Sequence, residues 1–168
     1  MTQIPHLRKF SSSVLLATVL LTLPCRSDMR EDVTRILENA TAPAGVVFEV
    51  VSGDLYFLAQ SMPKIREHSK QLRDRFADLD IAVVTHGVEE FSLTRERRKD
   101  FPELHASVRT LTSEEDIPVH VCGTHASWQD LTAEAFPEYV DVAPVGPAQV
   151  RTYQELGYEL VLVRPGDL

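Results

Sequence analysis

Five short runs of β-branched and aliphatic residues punctuate the chain, at 45–52, 81–85, 117–121, 139–143 and 158–163. Each ends in glycine, proline or an acidic turn, which reads as a strand buried on both faces. Between them the pattern shifts to helical spacing. Ile65, His68, Leu72, Phe76 and Leu79 fall on one face behind Pro63, a residue suited to a first helical turn. Leu104, Val108 and Leu111 do the same behind Pro102, and Val150, Tyr153 and Leu156 behind Pro147, with Gly157 as the C-terminal cap. A further helix is expected over 127–135, stopped by Phe136-Pro137, and the stretch 55–61 is ambiguous. Strands alternating with helices predict an α/β domain: a three-layer α/β/α fold with a five-stranded, largely parallel sheet of unspecified strand order.

Two segments precede this pattern. Residues 28–44 carry Val33, Ile36 and Leu37 as a short lead-in helix to the domain at 45–168. Residues 1–27 join a basic start (His6-Leu7-Arg8-Lys9) to an apolar run at 14–23, then Pro24 and the small residues of Cys25-Arg26-Ser27. This is the pattern of a secretory signal peptide cleaved after Ser27, and it is short for a membrane span. The expected location is periplasmic or secreted, with a retained membrane anchor as the alternative. Three basic and no acidic residues lie in this segment, so its removal takes the net charge from −8 to −11.

That charge argues against a nucleic-acid partner, and against an anionic membrane surface unless the signal segment is retained. The two cysteines, Cys25 and Cys122, are too few for a disulfide scaffold. No CxxC or zinc-ligand spacing is present, so neither a metal nor another cofactor is expected. The basic run at 95–99 reads as a solvated segment pairing with an acidic surface.

Export would leave Cys122 as a lone thiol in an oxidising compartment, either buried and inert or reactive towards an outside partner. Its position suggests chemistry. It stands where the 117–121 strand gives way to a helix start capped by Thr124, at the carboxyl end of a strand, where open α/β sheets place their ligands. Helix-terminal amides there favour a thiolate. His120 is two residues before it, on the same side of a continuing strand and about 6.6 Å along it. His125 is three residues after it, and His86 ends a neighbouring element. An imidazole beside the thiol would promote its attack on a sulfane or disulfide sulfur. A metal held by Cys122 and these histidines is a competing use of the same atoms, as is a Cys-His hydrolase, for which no third partner can be named.

In order along the chain, GVVFEVVSGD, IAVVTHG, VHVCG, FPEYVDVAPVGPAQV and ELGYELVLV resemble the DsrE/DsrF-like (YchN-like) family of small sulfur-handling α/β proteins. His86-Gly87, Cys122-Gly123 and Gly157-Tyr158 stand where that family's motifs fall. The resemblance implies oligomers and a cysteine after the third strand that carries sulfur as a persulfide between a donor and an acceptor protein. Cys122 occupies that place, with Trp128, Asp130 and Glu134 following it where relay subunits have a small, basic stretch. The apolar residues 55–58 would serve as part of a homo-oligomer interface. Two readings stand: a sulfur carrier or sulfurtransferase-like protein using Cys122, and a non-catalytic oligomeric binding module with a buried structural cysteine.

Overall fold

The structure is a computed structural model describing residues 28–167; the signal segment read from residues 1–27 lies outside them. Strands β1 (Gly45–Val50), β2 (Ile81–Thr85), β3 (Val119–Cys122), β4 (Asp141–Ala143) and β5 (Tyr158–Val163) form one sheet in the order β4-β3-β2-β1-β5. Every pairing is parallel, so all the strands end at one edge of the sheet. The apolar runs are continuous rather than alternating because a parallel sheet is covered on both faces.

On one face Val46, Phe48, Val50, Val83, Val119, Val121, Val161 and Val163 join the main core with α1 (Met29–Leu37), α2 (Phe57–Arg75) and α3 (Pro102–Ser113). On the other, Val47, Ala82 and Val84 pack against Val150 of α5 (Gly146–Glu155), with Tyr153, Tyr158 and Leu160 beside them. Glu49, His86, His120 and Cys122 share this second side by alternation along their strands. The segment 28–44 is a firm part of the domain, because Met29, Val33 and Ile36 are buried and Asp28 caps α1 by accepting a bond from Glu31 N at 2.8 Å.

Five expectations are corrected. Helix α2 begins at Phe57 rather than Pro63, which lies in its second turn and points to solvent. Asp54 starts it, accepting bonds from the amides of Tyr56 (2.9 Å) and Phe57 (3.1 Å). The same shift buries Phe57 and Leu58, so of 55–58 only Tyr56 stays exposed, and the run is core rather than interface. At the other end α2 stops at Arg75. Phe76 and Leu79 reach the core from the turn that follows, where Asp78 has φ 60°.

The helix expected over 127–135 is replaced by α4 (Gly123–Ser127), a turn with Asp130 at φ 55°, and a single 3₁₀ turn at Ala133–Ala135. An aspartate tolerates that left-handed conformation, but a helix cannot continue through it. Leu156 is 63% exposed instead of buried. It lies six residues after Val150, about 240° round a helix at about 100° per residue, and so on the opposite face. Gly157 caps the helix at φ 89° as expected.

Candidate functional site

The carboxyl ends of β1 to β4 surround a pocket of about 440 Å³. His86, Cys122 and His125 line it, and its rim is apolar: Val51, Val88, Trp128 and Val145 are all exposed, Trp128 to 73%. Cys122 itself is 4% exposed and forms part of the pocket floor.

The thiol's surroundings follow from local chain geometry. Cys122 is the N-cap of α4, in extended conformation, and its own Sγ accepts the His125 backbone N–H at 3.4 Å. The expected cap, Thr124, lies inside the helix and donates its hydroxyl to Pro144 O at 2.8 Å, tying α4 to the end of β4. A second backbone N–H, from Gly146 at the start of α5, reaches Sγ at 3.3 Å. Two amide donors aimed at one sulfur stabilise negative charge there.

Only glycine permits the second contact. A Cβ at position 146 would lie 2.6 Å from His86 Cβ and 3.2 Å from Cys122 Cβ. Gly146→Ala is therefore expected to push the α5 start away from Sγ, at a cost of about 1–3 kcal/mol for overpacking. Urea unfolding checks the cost, and the rate of Cys122 alkylation should change with it.

The three predicted histidines diverge. His125 lies against the thiol through its backbone, and its ring is held between Phe91 and Trp128 at centroid distances of 4.9 and 5.6 Å. His86 also lines the pocket, with Nε2 2.7 Å from Glu49 Oε1. His120 shares the sheet face of Cys122 but is not among the pocket-lining residues. Its Nε2 pairs with the Tyr153 hydroxyl at 2.8 Å under α5. Burial holds its imidazole below the ordinary histidine value, against the opposing pull of Asp141, 3.9 Å away. His120 is thus a packing residue beneath the site.

Sequence reasoning passed over the acids. Glu89 and Glu90 follow the end of β2 in the 3₁₀ turn Val88–Leu93, and both are fully buried. Glu89 accepts three hydrogen bonds, from Thr85 Oγ1 (2.6 Å), Gly87 N (2.8 Å) and Ser52 N (2.7 Å). It clasps the two loops that wall the pocket. Glu90 accepts the Cys122 backbone N–H at 2.8 Å and faces His125 Nδ1 at 3.1 Å. Burial raises its carboxyl to about 8, opposed by the Cys122 amide and reinforced by Glu89. The available signal was two adjacent acids inside an otherwise apolar turn, and one more, Glu49, inside a buried strand.

Of the basic run, Arg95 pairs with Glu138 at 2.9 Å, as a solvated segment meeting an acidic surface should. Among the described residues no cluster of three or more histidine, cysteine, aspartate or glutamate side chains is arranged to hold a metal ion. No helix among them is long and apolar enough to cross a membrane.

No family model matches the sequence, and no curated protein is significantly similar to it. Among solved structures the chain is similar to the protein of unknown function MTH1491 from Methanobacterium thermoautotrophicum. The two share 20% identity and a TM-score of 0.57, over 70% of this chain and 96% of that one. At that identity the likeness establishes a shared α/β fold.

Proposed function

We propose that this protein carries sulfur as a persulfide on Cys122, in the manner of the DsrE/DsrF-like family its motifs resemble. The observation that carries the reading is the sulfur at the floor of an apolar-rimmed pocket, with the backbone N–H groups of His125 and Gly146 on it. Those donors stabilise the thiolate that attacks a donor's sulfane sulfur, and an apolar rim suits a weakly polar sulfur substrate. Export of the chain with processing near Asp28 belongs to the same proposal, since it leaves Cys122 without a second thiol in the chain.

The alternative, a binding module with a structural cysteine, draws on the 4% exposure of Cys122. One experiment separates them. The protein is incubated with inorganic polysulfide and its intact mass is measured before and after a reductant. A carrier gains one sulfur, loses it on reduction, and gains none as Cys122→Ser. A thiol that takes no sulfur and alkylates only after denaturation leaves the binding module.

Self-association is part of the proposal. Helix α5 covers its sheet face incompletely, leaving Leu160 and Leu162 half-buried on an edge strand. Parallel sheets are ordinarily covered on both faces, and a second copy would complete the cover. Light scattering is expected to give a multiple of the chain mass; a monomer at micromolar concentration would refute it.

A further inference from the structure

Glu90 is a group at the site for which the sulfur chemistry above has no use. It is fully buried, yet both oxygens address the surroundings of the thiol. Oε2 holds the Cys122 backbone N–H at 2.8 Å, and Oε1 lies 3.1 Å from His125 Nδ1. The angles at that second contact are poor for a hydrogen bond, and neither atom has another partner among the described residues. Each atom's polarity is answered only by the other.

The imidazole has little freedom to turn away, flanked by the Phe91 and Trp128 rings while its own backbone N–H sits on Sγ. Its Nε2 makes no hydrogen bond to a described residue, and the side chain lines the pocket with Cys122. Facing Glu90 are Glu89 on its own turn, the backbone N–H of Cys122 at the end of β3 and His125 on α4; among the described residues no lysine or arginine pairs with it.

We infer that Glu90 and His125 form a proton-holding pair for Cys122. Glu90 is the positioning residue, fixing the imidazole and the Cys122 amide. His125 takes the thiol proton and returns it to the departing thiolate. The inference rests on the sulfur-carrier reading. Against a persulfide donor R–S–SH, the Cys122 thiolate attacks the outer sulfur. The new Cys122 S–S bond forms as the donor's S–S bond breaks, its electron pair leaves on RS⁻, and His125 protonates RS⁻ to RSH. The sum is protein–SH plus R–S–SH giving protein–S–SH plus RSH, with no net oxidation. The raised value of Glu90, about 8, keeps a proton on the buried pair at neutral pH.

The test depends on the leaving group. Cys122 is reacted near pH 7 with dithiodipyridine, whose leaving group needs no proton, and with hydroxyethyl disulfide, whose alkyl thiolate does. Glu90→Gln is expected to widen the ratio of the two rates by about tenfold or more, as removal of a general acid should. His125→Ala should widen it likewise, and the double variant no further than His125→Ala alone.

A second readout stands apart from reactivity and from packing. In the full-length protein at about pH 9.5, above the value of about 8 for Glu90, ring ¹⁵N shifts should place the His125 proton on Nδ1, facing the carboxylate. In Glu90→Gln the amide oxygen must stay on the Cys122 N–H, so its NH₂ faces Nδ1 and the proton moves to Nε2. A rate ratio unchanged in both single variants, or an unchanged tautomer in Glu90→Gln, overturns the inference. A Glu90-sensitive ratio in a protein that takes no sulfur from polysulfide leaves the pair standing and removes the carrier reading. A native thiol that reacts with neither disulfide removes both.

Discussion

Glu89→Ala is expected to cost about 3–5 kcal/mol, a large part of the roughly 5–15 kcal/mol that holds a domain of this size together. The carboxylate is fully buried and accepts three hydrogen bonds, from Thr85 Oγ1, Gly87 N and Ser52 N. Alanine removes the acceptor and leaves three donors with little water to turn to, since Thr85 is fully buried and Ser52 nearly so. Leaving buried donors unmet costs about 1–3 kcal/mol each, and the contributions do not sum fully.

The neighbourhood cannot collapse to refill the gap. A Cβ at Gly87 would already lie 2.3 Å from Glu89 Oε2 and 2.4 Å from Ser52 O, so the loops are at closest approach around this one side chain. Glu89→Gln keeps the shape but sets an NH₂ against a backbone N–H or a hydroxyl, and should fall between wild type and alanine. Urea unfolding reads the ranking, with a melting point lower by about 10–15 °C for alanine. Ser52 and Gly87 also line the thiol pocket, so Cys122 alkylation should quicken as the clasp loosens. An alanine variant within about 1 kcal/mol of wild type would show that the loops hold themselves.

The strands were legible because burial on both faces writes them as unbroken β-branched runs; β5 is found at the residues its run predicts. Helix α3 was equally plain, with proline at its first position and Leu104, Val108 and Leu111 inward. Where side chains have two competing uses, reading failed. Pro63 looked like a helix start because proline is favoured there, but it lies inside α2, in the second turn, where its missing N–H forgoes one bond of the helix. Thr124 looked like the cap because hydroxyls outrank thiols as caps, but the strand runs on to Cys122, which takes the role itself.

The site was half legible for a related reason. Cysteine and histidine announce chemistry by type, so Cys122, His125 and His86 could be named before they were seen to meet at one pocket. Glutamate does not, because most glutamates are solvated. Apolar neighbours are the one local difference between Glu90 and Glu96; it is the tertiary packing of the 3₁₀ turn under α4 that buries the first, while the second stays exposed. His120 shows the converse, a residue of suggestive type whose ring is taken by Tyr153 from the distant helix α5.

The burial of Glu90 makes the stability of the fold depend on pH in an unusual direction. A carboxyl normally sits lower in the folded state than in the unfolded chain, and stability then falls as acid is added. Glu90 is displaced the other way, from 4.5 to about 8, chiefly because burial penalises the charged form. The folded state therefore binds the proton more tightly than the unfolded state. Its contribution is fully present below pH 4.5, falls as pH rises towards about 8, and is constant above that. At about 1.4 kcal/mol for each tenfold difference in proton affinity, the loss across this window is a few kcal/mol.

Glu90→Gln is neutral at every pH and keeps an acceptor for the Cys122 amide, so its stability should lack this slope. Every other titratable group is common to both proteins. The difference between wild type and Glu90→Gln isolates the carboxyl. A Cys122→Ser background removes the thiol that contacts the same elements. Urea unfolding at about pH 5 and pH 9 should find the wild type losing a few kcal/mol relative to Glu90→Gln between the two. A difference that stays constant with pH would mean that the Glu90 carboxyl binds its proton no more tightly in the folded state than in the unfolded chain.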